Sequence, residues 1–383
     1  MHTSSTRPRR TRYVAVLAAG VSAVGLVALT APAQATTSIG TVTVVANHLD
    51  NPRGLAFGPD DVLYIAEAGH GGPLCIGQGP DGGPSCAGLT GGVSRLDDGV
   101  LTRVVDHIIS LASPAGIGAE GMAAVSTWGS HTFAQIGANT AGIPPQAPAS
   151  NPIVAGARAQ LGRTIALTAT GWRSLASTGD INFAWTAAHK ALQPDQFPDS
   201  NPNGLTTVGT TQYVANAGSN LLAGVNSVGG VSTLAYFRVP AGSPTDAVPT
   251  CVAQAPDGSL YVGELLGGSF APGHARVWRI ANGHAAVKWD GFTTIQGCGF
   301  DNLGNFYATE FQVNGLNLSP TASPLGAVVK VTPSGHRTTY GMGSLFFPSG
   351  FAYNDGAVYV SNWSIMPAQN QGPTGQVVKI VVH

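Results

Sequence analysis

The chain lacks most of the marks by which enzymes declare their chemistry in sequence. It has no Gly-x-Ser-x-Gly elbow for a nucleophilic serine, no His-Glu-x-x-His pair for zinc, and no phosphate-cradling glycine loop. Its ten histidines are scattered without a close pair, so His107 and His131 read as surface or structural groups. Charge is scarce, at 10% of the 383 residues. Beyond residue 35 there is no basic run of five or more, which argues against a nucleic-acid or anionic-membrane partner. No apolar run after residue 35 is long enough to cross a bilayer, so no transmembrane anchor is expected once the N-terminus is processed.

The N-terminus itself has the pattern of an export signal. Arg7, Arg9, Arg10 and Arg12 precede the apolar stretch Val14 to Leu29, and Ala31-Pro-Ala33-Gln-Ala35 offers a small-x-small cleavage site. The expected boundaries are a cleaved signal peptide over 1–35 and a single mature domain over 36–383. The general secretory route fits better than the twin-arginine one, because Thr11-Arg12-Tyr13 is a poor twin-arginine flank. Without those four arginines, 14 basic residues face 19 acidic ones, so the mature body carries a net charge of −5. The expected product is a soluble, extracellular monomer. Its four cysteines suit an oxidising compartment. Cys75 and Cys86 share one Gly/Pro-rich loop and are expected to bridge; Cys251 and Cys298 read equally as a bridge or as two buried thiols.

What the chain has in abundance is turns, with 52 glycines and 26 prolines, and a repeated cassette. Asn51-Pro-Arg-Gly-Leu-Ala-Phe leads through Gly58-Pro-Asp-Asp to Leu63-Tyr-Ile-Ala-Glu67. The frame returns at Val248 to Glu264 and at Phe347 to Asn362, with weaker copies near Gly121, Gly204 and Cys298. Each copy reads as strand, tight turn, strand, followed by a second hairpin. A fixed repeat of this kind predicts an all-β, six-bladed β-propeller of four-stranded antiparallel blades. The last repeat lacks one strand, and the alternating Gly40-Thr-Val-Thr-Val-Val-Ala46 is expected to supply it and close the ring. The long connections between second and third strands, and between blades, should gather on one face, with a short helix over Trp185 to Leu192 among them. Trp172, Trp278 and Trp363 are expected to pack between blades.

The opening Asn51-Pro-Arg-Gly-Leu-Ala-Phe-Gly-Pro-Asp, the Cys75/Cys86 loop, Asp199-Ser-Asn-Pro-Asn-Gly-Leu and the stretch from Val248 to Glu264 resemble the ScyD/ScyE family of secreted propellers. The resemblance covers about Thr41 to His383 and implies the propeller fold and export, with no catalytic residues to carry over. NHL-type and gluconolactonase-like six-bladed propellers are similar more loosely. The chain departs from the family in the second blade, where Ala119-Glu120-Gly121 stands in place of a Pro-His-Asp-like segment.

Two rings of residues are candidates for function. The last positions of the second strands are Glu67, Ile136, Asn216, Glu264, Glu310 and Asn362. Their carboxylates and amides either line a channel mouth, where Ca²⁺ would find oxygen ligands and Arg53 a counter-charge, or cap strand ends through nearby backbone. The positions before each inner-strand glycine are Arg53, Glu120, Asn203, Thr250, Gly297 and Ser349, among which Glu120 and Asn203 form a candidate metal pair. Two functions follow. The first is a binding or scaffolding module that holds a small molecule or an extracellular protein on the long-loop face. The second is a calcium-assisted lactonase or esterase working in the channel.

Overall fold

The computed structural model describes residues 40–78, 83–193, 197–238, 246–267, 271–317 and 322–382; the expected signal peptide, 1–35, lies outside them. The chain forms six antiparallel blades in ring order. Their inner strands are Pro52–Phe57, Met122–Trp128, Pro202–Val208, Pro249–Gln254, Ile295–Phe300 and Phe351–Asn354. Turn chemistry drives each hairpin. At Ala255-Pro-Asp-Gly258 the glycine sits at φ +82° and its amide donates to Ala255 O at 2.9 Å. At Asn354-Asp-Gly356 both central residues have positive φ, 43° and 71°, as a type I′ turn requires.

Closure occurs as the sequence pattern implies. Val42–Leu49 pairs antiparallel with the C-terminal strand Gly375–Val381, with Val42 opposite Ile380 and Leu49 opposite Gly375, and it forms the outer strand of the sixth blade. The strand runs three residues past Ala46 because two bulges carry it onto the first blade. There Leu49 packs with Leu55, Leu63, Ile65 and Val377.

The recurring glycine has a steric cause. A Cβ on Gly54 would stand 2.7 Å from the Cα of Ala124 in the next inner strand, and one on Gly350 would stand 2.0 Å from the carbonyl oxygen of Arg53. Neighbouring inner strands approach too closely for a side chain there. Where cysteine replaces that glycine, the two strands are cross-linked: Cys251 and Cys298 form a disulfide with Cα atoms 5.7 Å apart. The second bridge, Cys75–Cys86, joins directly opposed residues of an added strand, Leu74–Gln78, and the long strand Pro84–Asp97 of the first blade. The Cys75/Cys86 segment is thus an extension of a sheet.

Aromatic side chains fill the seams between blades. Trp278 meets Phe237 of the preceding blade with centroids 5.5 Å apart, Trp363 stacks on Phe346 at 4.6 Å, and Trp172 packs against the core between blades one and two. The long connections hold two helices, α1 (Pro152–Gln160) and α2 (Thr178–Ala188). The helix expected over Trp185 to Leu192 starts seven residues earlier than that and ends in a separate 3-10 turn, Lys190–Leu192. Helix α1 was not anticipated, although Asn151 caps it by accepting from the amides of Ile153 and Val154, and Pro152 opens it. Among the described residues, no helix is long and apolar enough to cross a membrane.

Candidate functional site

The ring at the ends of the second strands turns inward onto backbone. Glu67 accepts from the Asp50 amide at 2.7 Å, Asn216 from the Asn201 amide at 2.8 Å, Glu310 from the Thr293 amide at 2.8 Å, and Asn362 from the Phe346 amide at 2.7 Å. In three cases the amide lies just before the inner strand of the same blade; Phe346 is the last residue of the fifth blade's outer strand, on the way into the sixth. In three of the four blades the next residue is left-handed: Asn51 at φ 49°, Thr294 at 45° and Phe347 at 46°. Such a conformation costs a non-glycine residue roughly 1–3 kcal/mol, and the clasp on the preceding amide helps hold it. Ile136, at the same position in the second blade, is fully buried in the core.

The remaining bonds of the ring are also internal. Glu67 takes a hydrogen bond from Ser94 and an ion pair from Arg103 at 2.6 Å. Glu264, wholly buried, is held by both arms of the Arg276 fork at 2.9 and 3.0 Å and by the Trp278 indole. Burial raises its carboxyl against the pull of Arg276 and Trp278.

Glu310 yields a pH prediction. Burial pushes its carboxyl up to about 7 from 4.5, opposed by the Thr293 amide and the nearby Arg337 charge. An acid raised in the folded state binds protons more tightly there than in the unfolded chain. Its contribution to stability is therefore complete below pH 4.5 and is lost as pH climbs through 7, to a limit of ~3 kcal/mol. Glu310→Gln, which keeps the acceptor for Thr293, should be near neutral at pH 4.5. At pH 8.5 it should be more stable than wild type by up to ~3 kcal/mol in urea denaturation. The same difference at both pH values would contradict this.

The second ring divides between two cavities. Arg53, Asn203, Thr250, Gly297 and Ser349 line the central channel, beside Cys251 and Cys298. The close approach of the inner strands leaves that channel only about 60 Å³. Pockets for small molecules usually enclose roughly 300–1,000 Å³, so the channel holds a water or two and no lactone. Glu120 opens instead onto a lateral cavity of about 580 Å³.

This cavity is built mainly from long-loop segments, with Leu111 from the first blade's strand Val100–Ala112. Leu74, Ser85 and Ala87 come from the disulfide-tied extension of the first blade; Ala138, Asn139, Gly142 and Ile143 follow the second strand of the second blade. Ile153, Val154, Ala157 and Leu161 come from α1 and its end, and Asp199, Ser200 and Asn201 lead into the third blade. The lining combines aliphatic side chains with Ser85, Glu120, Asn139, Asp199, Ser200 and Asn201. There Glu120 Oε1 accepts from Asn201 Nδ2 at 3.2 Å, and Asn201 Oδ1 accepts from the Ala138 amide at 2.9 Å. Beneath them Arg53 donates to the carbonyl of Ala119 at 2.7 Å. Burial pushes the Glu120 carboxyl up and Asp199 adds to this, while Arg53 and Asn201 pull it down. Burial lowers Arg53 to about 10, partly offset by Glu120.

Glu120 therefore has Asn201 as its amide neighbour, while Asn203 faces the channel. Among the described residues, no three His, Cys, Asp or Glu side chains are grouped to hold a metal ion. Ca²⁺ takes 6–8 oxygen ligands, a set that Glu120 and Asn203 in separate cavities do not begin to assemble. Asp199, Asn201 and the α1 residues were not singled out from sequence as site residues, although Asp199 to Asn201 fell in a stretch that carried the family resemblance.

No protein-family model matches the chain, and no curated protein matches it. Among solved structures, a protein of unknown function from Bacteroides thetaiotaomicron is 10% identical over 89% of this chain and 76% of its own, with a TM-score of 0.51. A gluconolactonase from Xanthomonas campestris is 10% identical over 89% and 90%, with a TM-score of 0.49. A streptogramin B lyase is 13% identical over 90% and 98%, with a TM-score of 0.46. The first likeness supports the fold alone, and the other two carry no argument about this chain.

Proposed function

We propose that the protein is an exported binding module that holds a small, mostly apolar molecule in the lateral cavity of its long-loop face. The observation that carries this reading is the contrast in volume between the cavity, about 580 Å³, and the channel, about 60 Å³. Three separate insertions converge to build the cavity, and one of them is fastened by the Cys75–Cys86 bridge. Both disulfides suit an oxidising compartment, which supports export. Scaffold-held loops are where propellers place recognition. Ala157 on α1 faces the cavity and is buried. Ala157→Phe should fill the space and abolish saturable binding of hexan-1-ol in calorimetry, with the fold retained by circular dichroism. Unchanged binding in that variant would overturn the assignment.

A second reading, a hydrolase, is favoured by one feature of the same cavity. Glu120 is held toward its neutral form beside a second carboxyl, Asp199, an arrangement that separates a general acid from a base. On that reading Glu120→Gln abolishes turnover of a small ester or lactone in a folded protein, and activity retained in the variant rules it out.

A further inference from the structure

We infer that the lateral cavity selects ligands that carry a cationic amino group on an apolar body, with the ammonium seated between Glu120 and Asp199. The inference rests on the cavity being a binding site and adds the chemistry of its occupant.

Two carboxyl groups line a cavity whose remaining walls are aliphatic side chains with Ser85, Asn139, Ser200 and Asn201. Each uses one oxygen within the protein: Glu120 Oε1 accepts from Asn201, and Asp199 Oδ1 from the Ser200 amide at 2.7 Å. Glu120 Oε2 and Asp199 Oδ2 take no hydrogen bond among the described residues, so each carboxyl of the cavity lining keeps an acceptor, that of Asp199 lying close over Gly218. Arg53, the cation that acts on Glu120, donates one N–H to the carbonyl of Ala119 and makes no hydrogen bond to either carboxyl among the described residues. Two carboxylates near each other in a poorly hydrated site repel, and an ammonium with three donors relieves that repulsion and satisfies both acceptors. The amide of Asn139 does not compete, because it donates to Ser200 O and accepts from the Ala141 amide. The aliphatic walls, among them Ile143, Ile153 and Leu161, give the rest of the ligand an apolar seat.

Proton linkage follows from the same geometry. Burial and Asp199 push the Glu120 carboxyl up, and an arriving ammonium pulls it back toward the ionised form, releasing whatever proton it holds. Binding should therefore release a proton and strengthen as pH rises.

The test is calorimetric titration of the mature protein with hexylammonium, hexan-1-ol and hexanoate. Hexylammonium is expected to bind more tightly than the alcohol, by roughly tenfold or more, as a charge-assisted contact implies. Hexanoate should bind least, and the ammonium's enthalpy should vary with the buffer's ionisation heat. Glu120→Gln, and separately Asp199→Asn, should erase the preference for ammonium over hexan-1-ol. Equal binding of alcohol and ammonium, untouched by either variant, would overturn the cationic inference and leave the apolar-site reading standing. Binding of none of the three would overturn both.

Discussion

Arg276→Ala is expected to destabilise the protein by about 3–5 kcal/mol, a large effect for one side chain. Glu264 is completely buried, and Arg276, itself only 15% exposed, supplies two of the donors that hold its carboxylate. The guanidinium also lies over the Trp278 ring at 5.0 Å, so truncation removes packing as well as charge. What remains is a carboxylate in the interior, with only the Trp278 indole and the Arg276 amide for company. That carboxylate will tend to take up a proton. The deficit should therefore be smaller at pH 5 than at pH 8, because an acid raised in the folded state stabilises it on the acid side. Pairing Arg276→Met with Glu264→Gln should recover most of the loss, since no uncompensated charge then remains. Urea midpoints of the single and double variants at the two pH values decide this, and a single variant within ~1 kcal/mol of wild type would contradict it.

A chain that begins at Asp50 should lose its cooperative fold altogether. It lacks Val42–Leu49, so Gly375–Val381 becomes a bare edge with its outward row of amides and carbonyls unpaired. Leu49 and Ala46 also leave the cluster that joins the sixth blade to the first, formed with Leu55, Ile65 and Val377. In a ring each blade is held by both neighbours, so an opened seam loosens two blades at once. The expected result is aggregation, or a non-cooperative thermal transition by circular dichroism. A soluble truncated monomer with a sharp transition near the wild-type temperature would show that the closing strand is dispensable.

The ring was legible because its causes repeat. The tight turns draw on Asp or Gly, and the inner strands take a glycine where neighbours nearly touch, or in two blades the cysteines that cross-link them. The missing strand was legible for the same reason, since a blade one strand short has to find it at the other terminus. Glu67, Asn216, Glu310 and Asn362 were identified by position, yet position alone does not say which way a side chain turns. Each turns to an amide on the segment that leads into its blade's inner strand, a choice set by the left-handed or proline-led entry of that strand. The cavity was hidden because it is made by the insertions that interrupt the repeat. Helix α1 carried a readable signal in Asn151-Pro152, but where it docks depends on Leu89 and the first blade's long strands, with no periodic trace in sequence. Glu120 was singled out by register, and its partnership with Asn201 arises only because the segment from Asp199 folds back over the second blade.

Ligands are expected to enter the lateral cavity and not the channel. Methyl NMR of the chain from Thr36, titrated with hexan-1-ol, tests it directly. Ile143 and Ile153 line the cavity, whereas Val252 lines the channel. Saturable shifts at Ile143 and Ile153 with Val252 unmoved are the predicted result. Shifts at Val252 without any at Ile143 or Ile153 would contradict this and return the search to the channel.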